Sequence, residues 1–158
     1  MTRDISSEGR VAMTFAERNT WVTAVVLPAA SIAYFATVLP RLRDQPAADV
    51  SWVGPMLWAI GATIVGVIVG TILVSIAAGI ANRGVLESKE DVRDKQINRY
   101  GDRIAQAITG FGAAATLVLV MFEVDHFWIG SSLFLLGSIG ATWGTIAKIR
   151  AYRGAFHG

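Results

Sequence analysis

The chain predicts an all-α fold: an integral membrane four-helix bundle with both termini on the cytoplasmic side. Three observations lead there. Of 158 residues, 53% are hydrophobic and only 16% are charged, against about 25% charged in an ordinary soluble domain. The charge is segregated, so that four long apolar blocks hold almost none of it. Each block reaches the ~20 residues a helix needs to cross a hydrocarbon core about 30 Å thick. Together the blocks take more than half of the chain, and residues 1–158 read as a single membrane domain.

The N-terminal stretch mixes Asp4, Glu8 and Glu17 with Arg3, Arg10 and Arg18. A cleavable signal wants a short, basic, acid-poor start. The small residues Pro28-Ala29-Ala30-Ser31 also lie inside the first apolar block, not after it. That block is therefore expected to be a retained helix, preceded by a frayed tail over residues 1–16. The first span covers about 21–39, opened by Trp21, whose ring favours the membrane interface. Pro28 removes one backbone bond and predicts a kink, with Ser31 or Thr23 at hand for the freed carbonyl. Pro40 ends the segment.

The second span covers about 53–81, with Trp52 and Trp58 at its start. Ala62, Gly66 and Gly70 recur every fourth residue and make a flat strip on which another helix can pack closely. Gly84 suits a helix end. Ser88 to Asp91 then resembles a capping box, so a charged helix is expected over 88–103, leading into the third span at about 104–122. Ser88 to Met121 would measure roughly 51 Å at ~1.5 Å per residue. Either this helix projects from the membrane or Gly101 bends it. Gly110 and Ala114 form another small pair. The short loop Glu123-Val124-Asp125-His126 forces an antiparallel hairpin onto the fourth span, about 127–149, which Trp128 opens. Gly137, Gly140, Ala141 and Gly144 give this span small faces, and the tail from Lys148 to Arg153 is basic.

Lys and Arg set the orientation. The N-terminal tail holds three, the middle loop six and the C-terminal tail three, against two in the first loop and none in the third. Positive residues stay in the cytoplasm, so both termini and the charged middle stretch are expected there.

That middle stretch is the main functional candidate. On a helix, Asp91, Asp94, Asn98 and Asp102 fall near one stripe and Arg93, Ile97, Tyr100 and Ile104 near another. Asp91 with Lys95 and Arg99 with Asp102 are spaced to pair, each worth only ~0.2–0.5 kcal/mol when exposed. The stretch reads as a solvated, self-paired helix that sets topology, or as a docking surface built from Asp91, Arg93, Asp94, Ile97, Arg99, Asp102 and Arg103. A cation site on Asp91, Asp94 and Asp102 has the oxygen ligands a hard cation takes, but the interleaved Arg and Lys residues oppose it. Glu123, Asp125 and His126 sit on a turn too short to wrap one ion.

No Asp, Glu, Lys, Arg or His falls in the middle of any span. Such residues are costly in lipid and mark proton relays and ion paths, so their absence speaks against a proton-coupled pump. The polar positions are Thr63, Thr71, Ser75, Gln106, Thr109, Thr116, Ser138, Thr142 and Thr145, and Ser and Thr there usually bond back to their own helix. With no Cys and two His, and without a phosphate-binding loop, a metalloprotease helix or a nucleophile elbow, no catalytic residue, metal ligand or cofactor is expected. The net charge of +2 gives no ground for nucleic-acid binding.

Asp91-Val92-Arg93-Asp94-Lys95-Gln96-Ile97-Asn98-Arg99-Tyr100-Gly101-Asp102-Arg103-Ile104 resembles a pattern in small uncharacterised four-span proteins of the bacterial inner membrane, a domain-of-unknown-function class. There an acidic-basic run, usually Asp-Glu-Arg-Asp followed by Ile and then Gly or Ala, precedes the third span. Val92 stands here where that pattern has Glu, which weakens a metal site further. His126-Phe127-Trp128-Ile129 and Ala151-Tyr152-Arg153-Gly154 are similar too. The resemblance covers the second half of the chain; the first half matches only in hydropathy. It implies the fold and the membrane, and no activity.

The first functional expectation is a non-enzymatic membrane protein that acts as a regulatory or scaffold partner through its charged motif. The lipid bilayer surrounds it, a cytoplasmic protein docks on it, and it self-associates, most simply as a homo-oligomer of dimer size. The alternative is a small transporter or channel subunit for a neutral or apolar solute. A dry interior favours the first; a continuous wet cavity favours the second.

Overall fold

The computed structural model describes residues 14–81 and 92–155. The proposed cap at Ser88, the helix end at Gly84, the acid Asp91, the residues before Thr14 and the terminal His157 lie outside the described residues.

Four long helices make up the fold: α1 (Phe15–Val38), α2 (Val53–Ala81), α3 (Val92–Met121) and α4 (His126–Arg150). All four are long and apolar enough to cross a membrane. Between 11% and 22% of each apolar window is buried inside the molecule, so most of that surface faces outward. Val25, Ile32, Leu57, Ile64, Leu73 and Phe111 are all more than half exposed. Soluble monomers rarely expose such continuous apolar surface; this is the exterior of a multi-pass membrane protein.

α1 begins before Trp21. Thr14 is its N-cap, and the Glu17 amide donates to the Thr14 side-chain oxygen at 3.2 Å. Thr14 and Glu17 thus occupy the two positions of a capping box. The helix continues through Pro28. Ser31 donates to the Leu27 carbonyl at 3.0 Å and Thr23 to that of Asn19 at 2.9 Å, so neither side chain serves the Ala24 carbonyl that proline leaves free. A 3-10 segment, Leu39–Arg43, takes the chain out of α1, and a second, Ala47–Asp49, precedes α2. Arg41 staples this loop by donating to the Ser51 carbonyl at 2.7 Å.

α3 is one unbroken helix of 30 residues, about 45 Å long at ~1.5 Å per residue. It continues without a break through Gly101, so the charged turns and the apolar span belong to one helix. At its other end Glu123 takes a left-handed φ of 53°. The Glu123 amide donates to Val120 and the Val124 amide to Leu119, closing α3 in the manner usually reserved for glycine. Three residues after Glu123, α4 begins at His126.

α1 packs on α2 and α4, and α3 packs most extensively on α4. Among the described residues α2 and α3 scarcely touch. The neighbours therefore run α2–α1–α4–α3.

Small residues set the close approaches. A Cβ on Gly66 would meet Val26 at 2.8 Å and one on Gly70 would meet Val22 at 2.6 Å. In the α3–α4 hairpin, a Cβ on Gly140 would strike the Thr109 hydroxyl at 2.6 Å, and one on Gly144 the Gly101 carbonyl at 2.7 Å. Gly112, opposite Leu136, and Gly101, opposite the Gly144 carbonyl, complete this seam. Around Gly110 and Gly137 there is open space; Ala114 is exposed and Ala62 half-buried.

One end of the molecule, beside the two short loops, is aromatic. Tyr34, Val38, Val50, Ala59 and Phe127 form its buried core, with Phe35, Trp52 and Phe134 packed against it. Tyr34 meets Phe35 and Phe134 edge to face at 4.9 and 5.0 Å. Its hydroxyl shares a buried 2.8 Å hydrogen bond with Ser131. Trp52 fits over Gly130, where a Cβ would meet the indole at 2.6 Å.

Candidate functional site at the polar end of the bundle

The opposite end gathers the first turns of α1, the first turns of α3 and the last turns of α4. The charged motif splits there into two faces. Asp94, Ile97 and Gly101, spaced by three and four residues, turn inward and are buried, Ile97 completely. Arg93, Lys95, Arg99 and Arg103 are exposed. Lys95, Arg99 and Arg103 are four residues apart, which places them on one outward row. Asp102 reaches sideways to Lys148 of α4, at 2.8 Å, with its own side chain 58% exposed. Ile97 thus parts from Arg93 and joins Asp94.

Asp94 is 4% exposed, and its Oδ2 has no hydrogen-bond partner among the described residues. It lines a cavity of about 400 Å³ together with Asn19, Thr20, Thr23, Thr145 and Lys148. Thr20, Thr23 and Thr145 donate to the carbonyls of Ala16, Asn19 and Ala141 on their own helices. Their hydroxyl oxygens keep lone pairs for another donor. Asn19 accepts from Thr71 of α2 at 2.8 Å, tying α2 to this end.

The C-terminal turn, Ala151–Ala155, folds over the same region. Ala151 is buried, and the Arg153 guanidinium stacks over the Trp21 ring at 4.9 Å. The Tyr152 hydroxyl is buried next to the Asp94 carboxylate and close enough to Glu17 to feel its charge; by strict geometry neither it nor Asp94 Oδ2 completes a hydrogen bond among the described residues. Arg93, Arg153 and Asp94 all act electrostatically on the Glu17 carboxylate. Arg18 is buried beside them.

Much of this site comes from segments that hydropathy marks only as tails. Glu17, Arg18 and Asn19 precede the first apolar run, and the capping box at Thr14 is the signal for them. Arg153 belongs to the basic tail, and Tyr152 has only the resemblance to mark it. Glu123, Asp125 and His126 lie in the α3–α4 turn with Glu123 exposed, and no cluster of three metal-ligating side chains occurs among the described residues.

The chain matches no protein-family model, no curated protein and no solved structure.

Proposed function

We propose that this chain is a non-enzymatic membrane protein, both termini cytoplasmic, that presents the outer face of α3 to a cytoplasmic protein partner. One observation carries the reading: α3 is a single helix from its charged turns into its apolar span. Its inner motif residues are buried, while Lys95, Arg99 and Arg103 stand exposed. A basic row fixed to a rigid, membrane-anchored rod suits an acidic segment, and binding there would be passed to the seam with α4. The resemblance to four-span proteins of the bacterial inner membrane agrees with this placement. Gly110 and Ala114, open on the lipid-facing part of α3, suit a second copy of the chain, and a dimer is the simplest assembly.

The transporter reading draws less support. The polar cavity and the cavities around Tyr34 and Phe35 share no lining residue. Between these ends stand the Gly66–Val26, Gly112–Leu136 and Gly140–Thr109 contacts. Thr63 and Thr116 bond back to their own helices.

A photocrosslinking residue placed at Arg99, in cells, tests the docking reading against the same residue at Leu117. A discrete protein adduct at 99 that is absent at 117 supports it. Adducts only with lipid at both positions would overturn it.

A further inference from the structure

Two hollows meet at the polar end. The first is the polar cavity around Asp94 and Lys148. The second is an apolar groove of about 510 Å³ along α2, formed by Val67, Ile68, Ile72 and Ile76 and ending at Gly79. Phe15 and Asn19 line both. The two hollows thus adjoin across the Phe15–Asn19 ridge of α1, one polar and one apolar, and together make one candidate site.

We propose that this site holds a single phospholipid whose headgroup carries a primary amine. Length supports an acyl chain in the groove. Val67 to Gly79 spans about twelve residues of helix, about 18 Å. Asn19, bonded to Thr71, sets the polar cavity alongside it, so the groove takes the upper part of a chain in a leaflet with ~15 Å of hydrocarbon. Val67, Ile68, Ile72 and Ile76 give the groove its apolar wall, with Thr71 and Ser75 beside them, and the groove faces the lipid that surrounds the helices. Charge supports the headgroup. The cavity offers one buried carboxylate, whose Oδ2 has no hydrogen-bond partner among the described residues, and one lysine. Lys148 gives one contact to Asp102 and, as an ammonium with three donors, keeps others for a phosphate. An aminophospholipid brings the complementary pair, an ammonium for Asp94 and a phosphate for Lys148. A choline headgroup has no N–H to donate to Asp94, and a glycerol headgroup brings net negative charge toward it.

The test is native mass spectrometry of the full chain released from nanodiscs of equal phosphatidylethanolamine, phosphatidylcholine and phosphatidylglycerol. Retention of phosphatidylethanolamine at least fivefold above each of the others is expected. Asp94→Asn should bring the three to parity, and Ile72→Trp, which fills the groove, should lower retention of all three. Equal or greater retention of phosphatidylcholine or phosphatidylglycerol by the unmodified chain would overturn the proposal, whether or not either variant folds. So would an undiminished preference in folded Asp94→Asn, or unchanged retention in folded Ile72→Trp.

Discussion

The two ends of this molecule are held together by different physics. At the aromatic end, rings from α1 and α4 interlock around Tyr34, and one buried hydrogen bond joins the helices. Shape there leaves little to chance: three apolar elements close over Phe127 and Val38, which are almost fully buried. At the polar end, backbones approach through glycine, and the remaining space carries an unpartnered carboxylate, an ion pair and a cavity. One end is built for cohesion. The other leaves Asp94 Oδ2 and the Tyr152 hydroxyl without a hydrogen-bond partner among the described residues.

The largest loss is expected at the cohesive end. Tyr34→Ala removes the central ring and should cost about 3–5 kcal/mol, the range for losing a buried aromatic. Unfolding of the detergent-solubilised protein in increasing SDS measures it. Next comes the glycine seam. Gly144→Leu drives a side chain into the Gly101 carbonyl and Ala105 and should cost about 1–3 kcal/mol, as overpacking does. Gly110→Leu, with open space around it, should cost far less in the same assay. Equal losses at 110 and 144 would mean that the seam is misplaced.

Smaller effects belong to the polar end. Thr71→Val removes the donor to Asn19 and should cost about 1 kcal/mol, read from the same unfolding curves. Smallest is Asp102→Asn. The Asp102 side chain is more than half exposed, so the ion pair with Lys148 should contribute under about 1 kcal/mol. Its contribution should shrink further as salt is raised from low to molar concentration.

The spans are plain in the sequence because lipid demands continuous apolar runs, and a run as long as 53–81 suits a bilayer far better than a soluble core. Helix starts are harder to read. α1 begins at Phe15 because Thr14 and Glu17 cap it, and the charged turn that follows hides that start from hydropathy. Direction is harder still. Gly110 and Gly112 stand two residues apart in the same small-residue run, and only the one facing Leu136 meets a neighbour. Nothing local in the chain tells which side of α3 faces α4. The motif shows the same limit: hydropathy treats Asp94 as a solvent residue, whereas the fold buries it beside residues of α1 and α4. A lone carboxylate at 4% exposure is a product of tertiary structure, invisible to periodicity.

Which side of the membrane the polar end occupies matters most. The chain has no cysteine, so single replacements Lys95→Cys and Asp44→Cys can be probed with a membrane-impermeant maleimide in intact cells. Labelling at 44 before lysis, and at 95 only after it, is the result predicted. Labelling of position 95 in intact cells, or recovery of the protein in solution without detergent, would contradict it.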